Sequence, residues 1–162
     1  MSSLSFGLPN VNWVSDEQLH LTLRFIGEVD DIQFDEIAQA LTEVQLDPFD
    51  LVLEGVGTFP PRGTPTVLWV GVEKSEPLLQ LRRRVESALH QAGVPPEGRK
   101  FSPHITLARL KDAPMSRLGP FLTGNALFKL EPFEIEEFHL FSSKLTPKGA
   151  IHTLEQTYSL LD

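Results

Sequence analysis

Cysteine is absent from the 162 residues, which excludes disulfides, thiolate metal sites and a cysteine nucleophile. That absence fits a reducing cytoplasm, the location expected for the chain. No apolar run approaches the roughly 18 residues that span a bilayer. The opening MSSLSFGLPNVNW lacks the charged head and long apolar stretch of a signal peptide. Cations are in the minority: 14 Lys and Arg stand against 22 Asp and Glu, a net charge of −8. Following a polyanion over many phosphates needs clustered Lys and Arg, so any nucleic-acid contact is expected to be short and local. A G-x-x-x-x-G-K loop is also lacking, which leaves ATP binding of that kind unsupported.

What is present is a phrase written twice. HLTLRF opens at His20 and HITLAR at His104, 84 residues further on. The same offset links DPFDL at 47–51 with EPFEI at 131–135, and Val67 of VLWVGV with Ile151 of IHTLEQTYSL. Three segments in one register indicate an internal duplication, and a period this long is no solenoid repeat. The chain therefore reads as one two-lobed domain over 1–162, with repeat units of about 19–73 and 103–157 related by a pseudo-two-fold.

Hydrophobic periodicity supports this reading. LHLTLRF alternates, with His20, Thr22 and Arg24 on one face of an expected strand and Leu19, Leu21 and Leu23 on the other. Phe34, Ile37, Ala38, Leu41 and Val44 recur at helical spacing behind Asp30 or Asp31 as N-cap. Strands are expected near 49–57 and 66–73. A second amphipathic helix uses Leu78, Leu81, Val85, Ala88 and Leu89 and stops at Gly93. FSPHITLARL is the second motif strand, followed by a short helix near 115–122 and strands near 127–142 and 150–160. The fold class is α+β, with mainly antiparallel sheets, helices outside and one H-x-T strand per lobe. Ahead of His104 stand a strand and a helix, whereas ahead of His20 there are 19 residues without an amphipathic helix. An N-terminal strand and helix are thus expected to be missing, and the exposed face is expected to support a homodimer.

Alternation places His20 with Thr22, and His104 with Thr106, about 7 Å apart along each strand. Brought to opposite sides of one cleft, they offer two imidazoles and two hydroxyls around a small volume. Imidazole titrates near neutrality, so one ring can act as base while the other acts as acid. In-line phosphoryl displacement needs that pair, and threonine hydroxyls can donate to non-bridging oxygens. No metal or other cofactor is called for, since a zinc site wants three or four ligands and only two histidines converge.

WVSDEQLHLTLRFIGEV, FPPRGTPTVLWVGV, RKFSPHITLARL and FSSKLTPKGAIHTL resemble, in order, the blocks of the 2′-5′ RNA ligase-like family. These are RNA 2′,3′-cyclic phosphodiesterases of the two-histidine phosphoesterase superfamily, and the similarity runs from about Val11 to Tyr158. The resemblance implies a bilobal α+β fold and metal-independent hydrolysis of an RNA terminal 2′,3′-cyclic phosphate, or a small cyclic nucleotide, to a 2′-phosphate. It implies His20 as proton donor to the leaving 3′-oxygen, His104 as proton acceptor from water, and Thr22 and Thr106 as phosphate contacts. Family members begin with a further strand and helix, and often carry Tyr where His152 stands here.

Further candidates are weighed against ordinary surface roles. Arg24 shares the His20 face and can reach a cleft rim. Arg109 is an odd number of positions from His104, so an unbroken strand points it away, and a bulge reverses that. Arg62, Lys144 and Lys148 are loop charges within family blocks. Phe25, Phe101 and Trp69 can stack on a base, although core packing is the simpler role for Trp69. His90 belongs on a helix surface, His139 faces either way, and the arginines of LRRRVE at 81–86 make a solvated face. Two rival functions remain: a non-catalytic RNA- or nucleotide-binding module, and 2′-5′ RNA ligation as a reverse reaction.

Overall fold

The computed structural model describes residues 11–15, 19–60, 64–110 and 132–160. The helix expected near 115–122 and the Arg62 side chain lie outside them. The elements run β1 (Val11–Trp13), α1 (Asp31–Leu41), β2 (Phe49–Leu51), β3 (Leu53–Phe59), β4 (Val67–Val72) and α2 (Glu76–Gln91). After these come β5 (His104–Leu110), β6 (Phe133–Ile135), β7 (Glu137–Thr146) and β8 (Gly149–Ser159). The architecture is α+β with mostly antiparallel sheets. Two compact units share the chain: 1–22, 51–74 and 101–132 form one, and 23–50, 75–100 and 133–162 the other. The repeat and the compact unit are therefore different divisions. The 84-residue offset carries the β3–β4 segment of the first unit onto the β7–β8 segment of the second.

In the first unit a four-stranded sheet runs β1-β5-β4-β3, with every neighbouring pair antiparallel. Leu68, Val70 and Val72 alternate with half-buried Val67, Trp69 and Gly71 along β4. The buried set continues with Leu53, Ile105, Leu107 and Leu110 on the neighbouring strands. Burying a side chain of this size contributes about 1.5–3 kcal/mol, so this face fixes the sheet's register and leaves the other face open to carry chemistry.

In the second unit Asp30 caps α1 by accepting from the Gln33 amide at 2.7 Å, and Ser75 caps α2 through Leu78. Gly93, at φ +86°, ends α2 in the left-handed region that glycine enters without steric cost. Ile37 and Leu41 are buried on α1, and Leu78, Leu81, Val85, Ala88 and Leu89 are buried on α2. The arginines after Leu81, expected as a solvated face, are used as ties. Arg82 donates to the Leu23 carbonyl at 2.8 Å, Arg84 to the Gln45 carbonyl, and Arg83 pairs with Glu76. Guanidinium reaches backbone carbonyls on the connecting segments because its stem packs along the helix while its fork donates beyond it.

The β7–β8 hairpin completes this unit, and β2 pairs with its offset counterpart β6. Phe138 stacks on Tyr158 at 4.9 Å between centroids, and the Tyr158 hydroxyl donates to the Ala38 carbonyl at 2.8 Å. That bond fastens α1 to the hairpin. Further along, Phe141, Leu145, Ile151 and Leu154 stay exposed, Leu145 at 86%. No helix among the described residues is long and apolar enough to cross a membrane.

Burial raises the Tyr158 phenol above its ordinary value of 10.0. Its stabilising contribution is present below pH 10 and is lost as pH climbs through the raised folded value. Tyr158 is the one tyrosine of the chain, so tyrosinate absorbance reports it alone. That titration should sit above the free-phenol value and coincide with alkaline destabilisation. Tyr158→Phe should cost about 1 kcal/mol at neutral pH and flatten the alkaline loss.

Candidate active site

The open face of the first unit's sheet is organised by β5. Pro103, buried at its entrance, has a fixed φ and no amide to satisfy, and its carbonyl accepts from the Val72 amide at 3.2 Å. His104 and Thr106 are half-buried on one side of β5, with Ile105 and Leu107 buried on the other. Ala108 is buried as well, which breaks the alternation, and there the register against β4 slips from Trp69↔Thr106 to Leu68↔Ala108. Such a bulge turns the following residue over. Exposed Arg109 consequently stands on the His104 side, opposite Val67. The unbroken-strand expectation for Arg109 is reversed.

The first motif is not a strand. Its one ladder contact is an antiparallel bridge, Leu21↔Ile105, on the β5 edge away from β4. The expected strand over 19–25 is not formed: past the bridge Leu23 would face Pro103, which has no amide to donate, and the Leu23 carbonyl accepts from Arg82. Leu21 is half-buried, and His20 and Thr22 are exposed. Both His-x-Thr segments fall in the first unit and are bridged at Leu21 and Ile105.

The His104 ring is held from several directions. Its Nδ1 is 2.7 Å from the Ser102 carbonyl oxygen. A carbonyl only accepts, so Nδ1 carries the proton of the neutral ring and Nε2 keeps its lone pair. Phe59 meets the imidazole at 5.0 Å and 78°, edge to face, and Trp69 lies at 6.2 Å. These aromatic neighbours were not assigned to the site by the alternation of LHLTLRF or HITLAR. The available signal was glycine inside β3 and β4, at Gly55, Gly57 and Gly71, which marks close approach of another group.

Arg24 is placed elsewhere. The alternation that put it beside His20 ends at the bridge, and its guanidinium packs within the second unit, with the side chain 6% exposed. There it donates to the Pro95 carbonyl at 2.5 Å and stands 3.0 Å from Glu86 and 3.8 Å from Glu97. The Nε approach to Glu86 is off the line of a hydrogen bond, so this is a contact of charges more than a directional bond. Lys144 and Lys148 are exposed on β7 and its turn, and His90 is exposed on α2. His139 faces Thr157 across the hairpin at 3.0 Å, and His152 meets Ser143 at 2.9 Å. Phe25 is exposed and Phe101 half-buried.

An antiparallel α+β protein with two His-x-Thr segments bridged on one sheet face is the class these features define. A model of the 2′-5′ RNA ligase superfamily matches residues 7–146. An Archaeoglobus fulgidus protein named RNA 2′,3′-cyclic phosphodiesterase is 36% identical over 150 residues, which is 90% of this chain and 82% of that one. A crystal structure from Thermus thermophilus matches with a TM-score of 0.75 at 29% identity, covering 98% of this chain and 86% of its own. Escherichia coli LigT complexed with 3′-AMP matches at 0.69 and 24% identity, covering 94% and 83%, which carries the fold alone. The chain belongs to the 2′-5′ RNA ligase superfamily.

Arg24→Met should remove a buried cation from beside Glu86 and lower stability by about 1–3 kcal/mol. Chemical denaturation is the measurement, and KM for any nucleotide substrate should be unchanged. A raised KM at unchanged stability would return Arg24 to the site.

Proposed function

We propose that this chain hydrolyses a terminal 2′,3′-cyclic phosphate, of RNA or of a small cyclic nucleotide, to a 2′-phosphate without a metal ion. The observation that carries the reading is the antiparallel bridge Leu21↔Ile105. These two residues are offset counterparts, 84 apart in the chain. The reading takes the bridge to lie on a local pseudo-two-fold that exchanges His20 with His104 and Thr22 with Thr106, so that a phosphorus atom near the axis meets an imidazole from each side. The relatives named RNA 2′,3′-cyclic phosphodiesterase support the choice of substrate.

In the proposed step the His104 Nε2 lone pair takes a proton from water as its oxygen attacks phosphorus. The Nδ1–H bond to Ser102 supports that role, because it holds the basic nitrogen on the other side of the ring. The bond from phosphorus to the 3′-oxygen breaks, His20 as imidazolium protonates that oxygen, and the phosphate remains on the 2′-oxygen. Thr22 and Thr106 donate to the non-bridging oxygens, whose charge grows in the transition state. Arg109, brought to this face by the bulge, adds a cation on the Thr106 side. Arg24 has no part in it. Self-association belongs to the reading as a second element, supported by the exposed side chains of the β7–β8 hairpin. Light scattering showing a monomer at every concentration would end it.

Cytidine 2′,3′-cyclic phosphate is the test substrate, with the product isomer read by phosphorus NMR. Turnover should persist in EDTA, follow a bell-shaped pH profile, and fall about 10²–10⁴-fold in His20→Ala and in His104→Ala with the fold retained. Activity lost on chelation and restored by metal rejects the mechanism. Arg109→Met should weaken substrate binding about tenfold with the pH profile unmoved, as expected for loss of one charge-assisted contact.

A further inference from the structure

Trp69 is half-buried on the open side of β4, directly opposite Thr106. Its cross-strand neighbour on β3 is Gly57, and the indole lies flat across that residue. A methyl group built at Gly57 would stand 2.3 Å from Trp69 Cζ2 and 2.5 Å from Cη2, distances that only the absence of a side chain permits. Flattened in this way, the ring extends along the sheet toward Phe59 at 5.3 Å and His104 at 6.2 Å. Phe59 in turn meets the His104 ring edge to face. Three aromatic rings from β3, β4 and β5 thus form one cluster, with Phe59 exposed and Trp69 and His104 half-buried.

The indole Nε1–H is buried without a hydrogen-bond partner among the described residues. An orphaned donor is costly, and phenylalanine would fill a plain core position without it.

Resting on the hydrolytic reading above, we infer that Trp69, laid over Gly57 and backed by Phe59, is a positioning residue for His104. The Ser102 carbonyl fixes one edge of the imidazole, but a single hydrogen bond leaves the ring free to swing about it. The aromatic wall removes that swing and holds Nε2 toward the phosphate position. Trp69 touches no reacting atom in this role.

The test pairs ¹⁵N NMR of the imidazole nitrogens of the whole chain with kcat and KM on cytidine 2′,3′-cyclic phosphate. The variants are Trp69→Ala, Trp69→Phe and Gly57→Ala. In the parent chain His104 should show the Nδ1–H tautomer. Trp69→Ala should mix the tautomers and lower kcat about 10- to 100-fold, as a misplaced base does, with KM within about twofold. Trp69→Phe should recover most of the loss. Gly57→Ala, which lifts the indole without deleting it, should fall between. A folded Trp69→Ala with an unchanged His104 tautomer and kcat overturns the inference. Where that variant fails to fold, an unchanged tautomer in Gly57→Ala overturns it instead. Absence of turnover in the parent chain sinks the hydrolytic reading alone, since the imidazole spectrum still decides the positioning role.

Discussion

A single antiparallel contact, Leu21 against Ile105, joins the two His-x-Thr segments, and the proposed chemistry depends on it. The proposal needs this bridge to bring His20 and Thr22 to the face of His104 and Thr106. Register is held on the β5 side by buried Ile105 and Leu107, which cannot exchange faces with polar neighbours without exposing apolar area. The face on which His104 and Thr106 stand is therefore set by the hydrophobic residues between them.

The departures from regular structure have physical sources. Pairing of the first motif stops after one bridge, where Leu23 would face Pro103, which has no amide to donate, and the Leu23 carbonyl accepts from Arg82. The bulge at Leu107 and Ala108 arises where two successive residues are buried, and it returns Arg109 to the working face. The two arginines near the motifs consequently exchange the roles that simple alternation assigns. Arg24 supports the second unit through Glu86 and the Pro95 carbonyl, whereas Arg109 stands with His104 and Thr106. In the proposed reaction Arg109 is the cation that offsets the acidic chain, of net charge −8, for an anionic substrate.

Much was legible from local pattern. Both helices fall where the apolar spacing puts them, with Asp30 as cap and Gly93 as stop, because capping and amphipathicity depend on residues a few positions apart. The 84-residue offset anticipates β2 with β6 and β3–β4 with β7–β8, since duplicated residues keep their elements. The motif over 19–25 alternates like a strand yet keeps only its bridge, because a ladder also needs a donor on the facing segment, and Pro103, far from Leu23 in the chain, has none.

Composition and spacing alone point to the α+β class, an 84-residue internal offset and four side chains whose chemistry suits phosphoryl transfer, because each depends on residue type and short-range periodicity. Folding decides that Arg24 packs against Glu86 while Arg109 stands on the His104 face of β5, that Leu21 meets Ile105, and which aromatic rings lie beside His104. Those outcomes turn on a bridge, a bulge and a close approach over Gly57, and each is made between strands or segments that the linear chain keeps apart.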